Sequence, residues 1–258
     1  MQLFHTLLVA TLVPLLANGY GLNQKTLVLS WDGFRQIYLD GRFMPWFEIF
    51  KEQGVYASTT QSVFPSETFP NHWSIVTGMY TESHGITGNN MYDPNLDEEF
   101  SMDNTDIKWW GQAEPIWVTG RKQGKVTAAT LWPGSAVVFP GNYTPNYYRP
   151  KYDSSVPMEK RIDETIEYFT KNNADLAFIY YNQPDNAGHH TGTSSDETKT
   201  ELQLIDWYLS YLMVALERAG LGEDKLNVIL CADHGMTDIK ERLALENYID
   251  LNDVDKVS

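Results

Sequence analysis

Three apolar runs in this 258-residue chain end in side chains that bind cations. Asn227–Ala232 leads into Asp233–His234–Gly235, and Thr26–Trp31 leads into Asp32–Gly33. Leu176–Tyr181 leads into Asn182–Gln183–Pro184–Asp185, with His189 and His190 just beyond. Carboxylates and imidazoles suit zinc or a similar divalent ion. The spacing from Asp185 to His189 lets both side chains reach one ion from a single loop. Asp233 and His234 are adjacent, and alternation at a strand end sends neighbours in different directions. That predicts a pair serving two neighbouring centres. In a two-metal site, one ion lowers the pKa of a hydroxyl nucleophile and the other holds a phosphoryl oxygen and its leaving group. The best-placed hydroxyl is Thr68. Pro70 fits the first turn of a helix, which sets Thr68 just ahead of an N-terminus where backbone N–H groups and the helix dipole favour anions. On local sequence alone, an ordinary capping threonine competes with that reading.

The elements that must position these groups follow from periodicity. The apolar runs read as strands, with Asn227–Ala232 expected to be buried. Met158–Asn173 is amphipathic, with Ile162, Ile166 and Phe169 on one face, and Asp196–Ala219 is a second such helix closed by Gly220. Phe43–Gln53 predicts a helix ended by Gly54. Trp73, Ile75 and Val76 belong to a helix running towards Gly78, and Ile116–Val118 to one ending near Gly124. Lys125–Leu131 reads as a strand, and Val55–Val63 alternates loosely enough to predict another. This β-α-β order predicts an α/β fold, a mostly parallel sheet with helices on both faces. Its site belongs at the carboxyl ends of the strands. Residues 79–112 read as loop-rich, with Asp97–Glu98–Glu99 a solvated acidic patch, and residues 133–157 as a functional loop or small lobe over the site.

The formal charge of −15, from 34 acidic and 19 basic residues, excludes a general nucleic-acid-binding surface, because a phosphate backbone is repelled overall. Bound divalent cations would offset the excess locally and draw phosphate to one spot. Residues 1–19 read as a secretory signal peptide. Leu7–Leu16 is too short to span a bilayer, and Ala17–Asn18–Gly19 supplies small residues for cleavage. The single Cys231 predicts a buried, unpaired thiol. Asn142–Tyr143–Thr144 is a glycosylation sequon in a Pro/Gly-rich loop.

The stretches VLSWDGFR, FPSETFPNHWSIVTGMYTESHGI, GNNMYDP, YDSSVPMEKRI, YYNQPDNAGHHTG and CADHGMTD together resemble the ectonucleotide pyrophosphatase/phosphodiesterase family, within the alkaline phosphatase superfamily. The resemblance runs from about residue 25 to residue 240. It implies an alkaline-phosphatase-like fold and two Zn2+. Asp32, Thr68, Asp233 and His234 match the ligands of one zinc, and Asp185 and His189 match two ligands of the other. Thr68 matches a nucleophile that forms a covalent phosphoryl intermediate, and Asn89 a side chain that hydrogen-bonds a phosphoryl oxygen. Phe69 and Tyr152 resemble an aromatic slot for a nucleobase, with Tyr180 a candidate third wall or simple core packing. His72 and His84 read as structural, and His190 as solvent-facing.

The family's second zinc takes a further His well downstream, and no His follows His234 in this sequence. The resemblance therefore predicts that residues 20–258 form the N-terminal part of a catalytic domain, incomplete at the C-terminus, with a weakly held second ion. A membrane anchor belongs only to a longer form. The full-length reading is an extracellular phosphodiesterase acting on nucleotides, and Trp132–Ser135 resembles the nucleotide-cleaving members. Hydrolysis of choline-containing lipids and a secreted binding or decoy role are the alternatives.

Overall fold

The computed structural model describes residues 25–39, 42–222 and 224–250, so the leader expected over residues 1–19 lies outside the described residues. In chain order the strands are β1 (Lys25–Trp31), β2 (Met91–Asp93), β3 (Glu98–Phe100), β4 (Thr127–Thr130), β5 (Tyr147–Tyr148), β6 (Leu176–Tyr181) and β7 (Leu226–Cys231). The helices are α1 (Pro45–Gln53), α2 (Thr68–Thr77), α3 (Thr81–His84), α4 (Ile107–Trp110), α5 (Ile116–Lys122), α6 (Met158–Thr170), α7 (Asp185–Thr191) and α8 (Asp196–Arg218). Five strands form one sheet in the order β5-β4-β6-β1-β7, every neighbouring pair parallel. The short β2 and β3 pair antiparallel beside it.

Alternation along β1 explains why helices cover both faces. Leu27, Leu29 and Trp31 point into one core layer with Phe47 of α1, Ile162 and Phe169 of α6 and Leu209 and Leu212 of α8. Val28 points the other way, into a layer that holds Trp73 and Val76 of α2, Trp110 of α4 and Trp117 of α5. A fully buried aliphatic or aromatic side chain contributes roughly 1.5–3 kcal/mol, so the two layers fix the strand order. With all neighbours parallel, every strand exit lies at the same edge, and there Asp32, Asp185 and Asp233 meet.

Two expected elements differ. Val55–Val63 forms no strand. It is an extended, largely exposed segment whose Val63 N–H donates to Asn71 Oδ1 at 2.8 Å. It lines a cleft with β7 but makes no ladder with it. The strand over Asn227–Ala232 exists, but β7 lies at the edge of the sheet among the described residues, paired to β1 alone. Val228 and Leu230 turn towards the core while Ile229 is 49% exposed. An apolar run gives no sign of whether a strand is central or peripheral.

The Pro/Gly-rich connection over residues 133–157 is mostly turns, with one bridge between Phe139 and Tyr143, and it also supplies the short strand β5, which pairs with β4. Asn142 is exposed within that turn.

Candidate metal centre

Asp32 follows β1 and is 2% exposed. Its neighbour Gly33 takes a φ of +66°, and a Cβ there would lie 2.9 Å from Asp185 Cβ. Only glycine lets the β1 exit and the start of α7 approach so closely. The Asp185 N–H donates to the Asp32 carbonyl at 3.0 Å, which joins the two exits. Asp233, past the end of β7, is 4% exposed, and its Oδ1 accepts the Gly33 N–H at 3.1 Å and the His234 N–H at 2.9 Å.

The side chains converge. His234 Nε2 stands 3.4 Å from Asp32 Oδ1 and 3.3 Å from Asp233 Oδ2. Donor atoms of Asp32, Asp185 and His234 all lie within 4.8 Å of one another. Asp233 and His234 thus meet at one point, whereas simple alternation sends them apart. The reason is local: β7 ends at Cys231, so the pleat no longer governs either residue. His189 lies one turn from Asp185 on α7, its Nε2 3.4 Å from Asp185 Oδ2, with its side chain 70% exposed. The Asp185-to-His189 spacing is therefore a helical i,i+4 pair and not a loop pair. Met236 packs over this turn at Gly188, where a Cβ would come within 2.2 Å of its sulfur. His190 is exposed, its Nδ1 2.7 Å from the Asn186 carbonyl.

Three buried carboxylate oxygens in this cluster, Asp32 Oδ1, Asp185 Oδ1 and Asp233 Oδ2, accept no hydrogen bond. Buried polar atoms are ordinarily satisfied, and anions packed this closely repel one another unless a cation sits among them. The donor set thus fits a divalent metal. Burial, then the charges of Asp233 and Asp185, raises the Asp32 carboxyl well above the usual range despite its hydrogen bond from Tyr180. Burial also raises Asp185, against the pull of His189 and His234. Burial pushes Asp233 upwards as well, but the His72 and His234 rings outweigh it and leave that carboxyl below the usual range.

Thr68 is the first residue of α2, and its hydroxyl donates to Asp32 Oδ2 at 3.4 Å. Glu67 holds the cap position, so Thr68 is free of a capping role. Asn89 Oδ1 accepts the Phe69 N–H at 2.8 Å. Thr68, Phe69, Asn89, Tyr152, Asp185, His189 and His234 all line one cleft of about 1220 Å³. Phe69 packs against Phe100 and Trp110, and Tyr152 is 46% exposed on the cleft wall. Tyr180 differs from these two. It is 6% exposed, and its hydroxyl is committed to Asp32.

His72 plays a larger part than packing. Its Nδ1 lies 2.8 Å from the Thr68 carbonyl and 3.3 Å from Asp233 Oδ2, and its Nε2 lies 2.9 Å from Ser30 Oγ. The Thr68 carbonyl is the hydrogen-bond acceptor at Nδ1, so that nitrogen carries the proton, and the ring stands beside Asp233 without satisfying its Oδ2. The signal in the sequence was the i,i+4 spacing from Thr68. His84, buried, contacts Ser74 Oγ at 2.9 Å and accepts the Ile86 N–H at 3.1 Å, away from the cleft.

The family model for type I phosphodiesterase / nucleotide pyrophosphatase matches residues 26–257. Human ectonucleotide pyrophosphatase/phosphodiesterase family member 5 is 39% identical over 233 residues, 88% of this chain and 48% of the relative. Bovine bis(5'-adenosyl)-triphosphatase ENPP4 is 41% identical over 218 residues, 83% of this chain and 48% of the relative. The solved structure of an inactive form of murine ectonucleotide pyrophosphatase / phosphodiesterase 5 in complex with AMP superposes with a TM-score of 0.83 at 39% identity. That match covers 89% of this chain and 62% of the murine one. The chain spans about half the length of the curated relatives it matches. The fold is therefore the alkaline-phosphatase-like one, and the chain belongs to the type I phosphodiesterase / nucleotide pyrophosphatase family.

Proposed function

We propose that this chain carries the nucleophile and most of the metal ligands of an extracellular zinc phosphodiesterase that hydrolyses nucleotide phosphodiester or pyrophosphate bonds. The observation that carries the reading is the trio of orphaned carboxylate oxygens beside the Thr68 hydroxyl on the cleft wall. Asp32, Thr68, Asp233 and His234 would hold one zinc, and Asp185 and His189 would supply two ligands to a second. Bound zinc supplies positive charge that lowers the pKa of the hydroxyl and neutralises phosphoryl oxygens.

The chain's own groups do the rest. Asp32 Oδ2 accepts the Thr68 hydroxyl hydrogen. Thr68 Oγ1 attacks phosphorus, a new O–P bond forms, and the bond to the leaving oxygen breaks. Asn89 holds a phosphoryl oxygen through its amide hydrogens. Phe69 and Tyr152 take the nucleobase between them, with Tyr180 behind. Water then cleaves the threonyl ester, releasing a nucleoside monophosphate and restoring the hydroxyl. The complex of the murine relative with AMP supports a nucleotide substrate here.

The same reading makes the protein secreted or exposed on the outer face of the cell, with a glycan on Asn142. No helix among the described residues is long and apolar enough to cross a membrane. The substrate class is tested by offering zinc-supplemented protein a dinucleoside polyphosphate and a choline phosphate ester. Release of nucleoside monophosphate is expected, and turnover of the choline ester alone would overturn the nucleotide reading.

A further inference from the structure

We infer that Glu67 is a positioning residue that sets the orientation of the Asn89 amide at the phosphoryl end of the cleft. The inference rests on the phosphodiester-hydrolysing reading of that cleft. Glu67 immediately precedes Thr68, and its side chain reaches across to the neighbouring loop, where Oε2 accepts the Asn89 backbone N–H at 2.6 Å. Asn89 in turn reaches back: its Oδ1 accepts the N–H of Phe69, the residue after Thr68, at 2.8 Å. Two hydrogen bonds running in opposite directions thus bracket Thr68 and join the start of its helix to the loop at residues 88–90.

The consequence is chemical. An asparagine amide has one acceptor end and one donor end. The Phe69 N–H can only donate, so it fixes the acceptor end, and the amide hydrogens of Asn89 are left for the cleft. An anionic oxygen next to Thr68 requires that donor end. The Glu67 backbone is itself held, its N–H donating to Pro65 O at 2.9 Å and its carbonyl accepting from Asn71 Nδ2 at 2.8 Å. The carboxylate is thus a fixed anchor and not a mobile surface charge. Nothing in this arrangement needs the negative charge of Glu67, only an acceptor at that reach, which glutamine also supplies.

The test is a set of single and double variants assayed with zinc and a nitrophenyl nucleotide ester, beside wild type and Thr68→Ala. Glu67→Ala is expected to lower kcat by about 10- to 100-fold with KM moved less than about threefold, the pattern of a donor used in the transition state. Glu67→Gln is expected to recover most of that loss. Glu67→Ala combined with Asn89→Ala should be no worse than Asn89→Ala alone, because a residue acting through another adds nothing once the other is gone. Independently of turnover, hydrogen exchange at the Phe69 amide should speed up in Glu67→Ala and not in Glu67→Gln. Wild-type kcat in Glu67→Ala, losses that multiply in the double variant, or an unchanged Phe69 amide would each overturn the inference. Wild type without Thr68-dependent turnover would overturn the phosphodiesterase reading alone, and the Phe69 amide would then decide the case of Glu67.

Discussion

The phenol of Tyr180 donates to Asp32 Oδ2 at 2.5 Å, behind the oxygen that faces the cluster. Burial holds the Tyr180 hydroxyl well above its ordinary pKa, so it stays a donor at every physiological pH. One carboxylate oxygen is pinned by a neutral hydroxyl, and Oδ1 is left for a cation.

Tyr180→Phe should therefore weaken metal binding while preserving the fold, since the ring keeps its place in the core. Partners behind a ligand typically contribute about 10- to 100-fold in affinity. Competition with a chromogenic zinc chelator measures the loss, and unchanged affinity would show that the hydrogen bond does not orient Asp32.

Acidification should strip the metal earlier than it does from a site of ordinary carboxylates. The metal-free Asp32 and Asp185 carboxyls are raised, so their protons compete with the metal at a higher pH. The sign follows from proton release on binding: affinity falls as pH falls. Zinc content after dialysis at about pH 7.5 and about pH 5.5 checks it, with a marked drop expected at the lower value.

The exits of β1, β6 and β7 were legible in the sequence because each is an apolar run stopped by a ligand-type residue. Much of what surrounds them was not. Tyr180 reaches Asp32 because β6 lies beside β1 in a register that sets Tyr180 opposite Ser30, two residues before Asp32. No local pattern encodes a contact across that separation. His72 reaches Asp233 only once α2 has docked on the sheet. The peripheral place of β7 and the unpaired course of Val55–Val63 are likewise properties of neighbours, which periodicity within one segment does not report.

Gly188→Ala should destabilise the α7 turn that carries Asp185 and His189. The new methyl would come within 2.2 Å of the Met236 sulfur, so Met236 or the helix must shift. Overpacking of this kind costs about 1–3 kcal/mol, readable by urea denaturation. Wild-type stability would mean that Met236 moves aside freely.

Cys231 should resist alkylation in the folded protein at mildly alkaline pH and react fully once unfolded. The residue is only partly buried, where a fully buried thiol was expected, but its sulfur lies against the Leu29 carbonyl at 3.7 Å and is itself desolvated, which pushes it up to about 12. The folded state therefore keeps this proton after the unfolded chain has lost it. The contribution is complete below the ordinary thiol value and is lost as pH rises towards about 12. Rapid labelling of the native protein would contradict this.

Thr68 is the group proposed to attack phosphorus. Hydrolysis of the nitrophenyl ester of thymidine monophosphate, with zinc added, compares wild type, Thr68→Ser and Thr68→Ala most directly. Zinc-dependent turnover is expected in the wild type and, reduced, in Thr68→Ser. Thr68→Ala should lose at least about 1,000-fold in kcat, as when a nucleophile is removed. Turnover in Thr68→Ala equal to that of wild type would rule Thr68 out as the nucleophile.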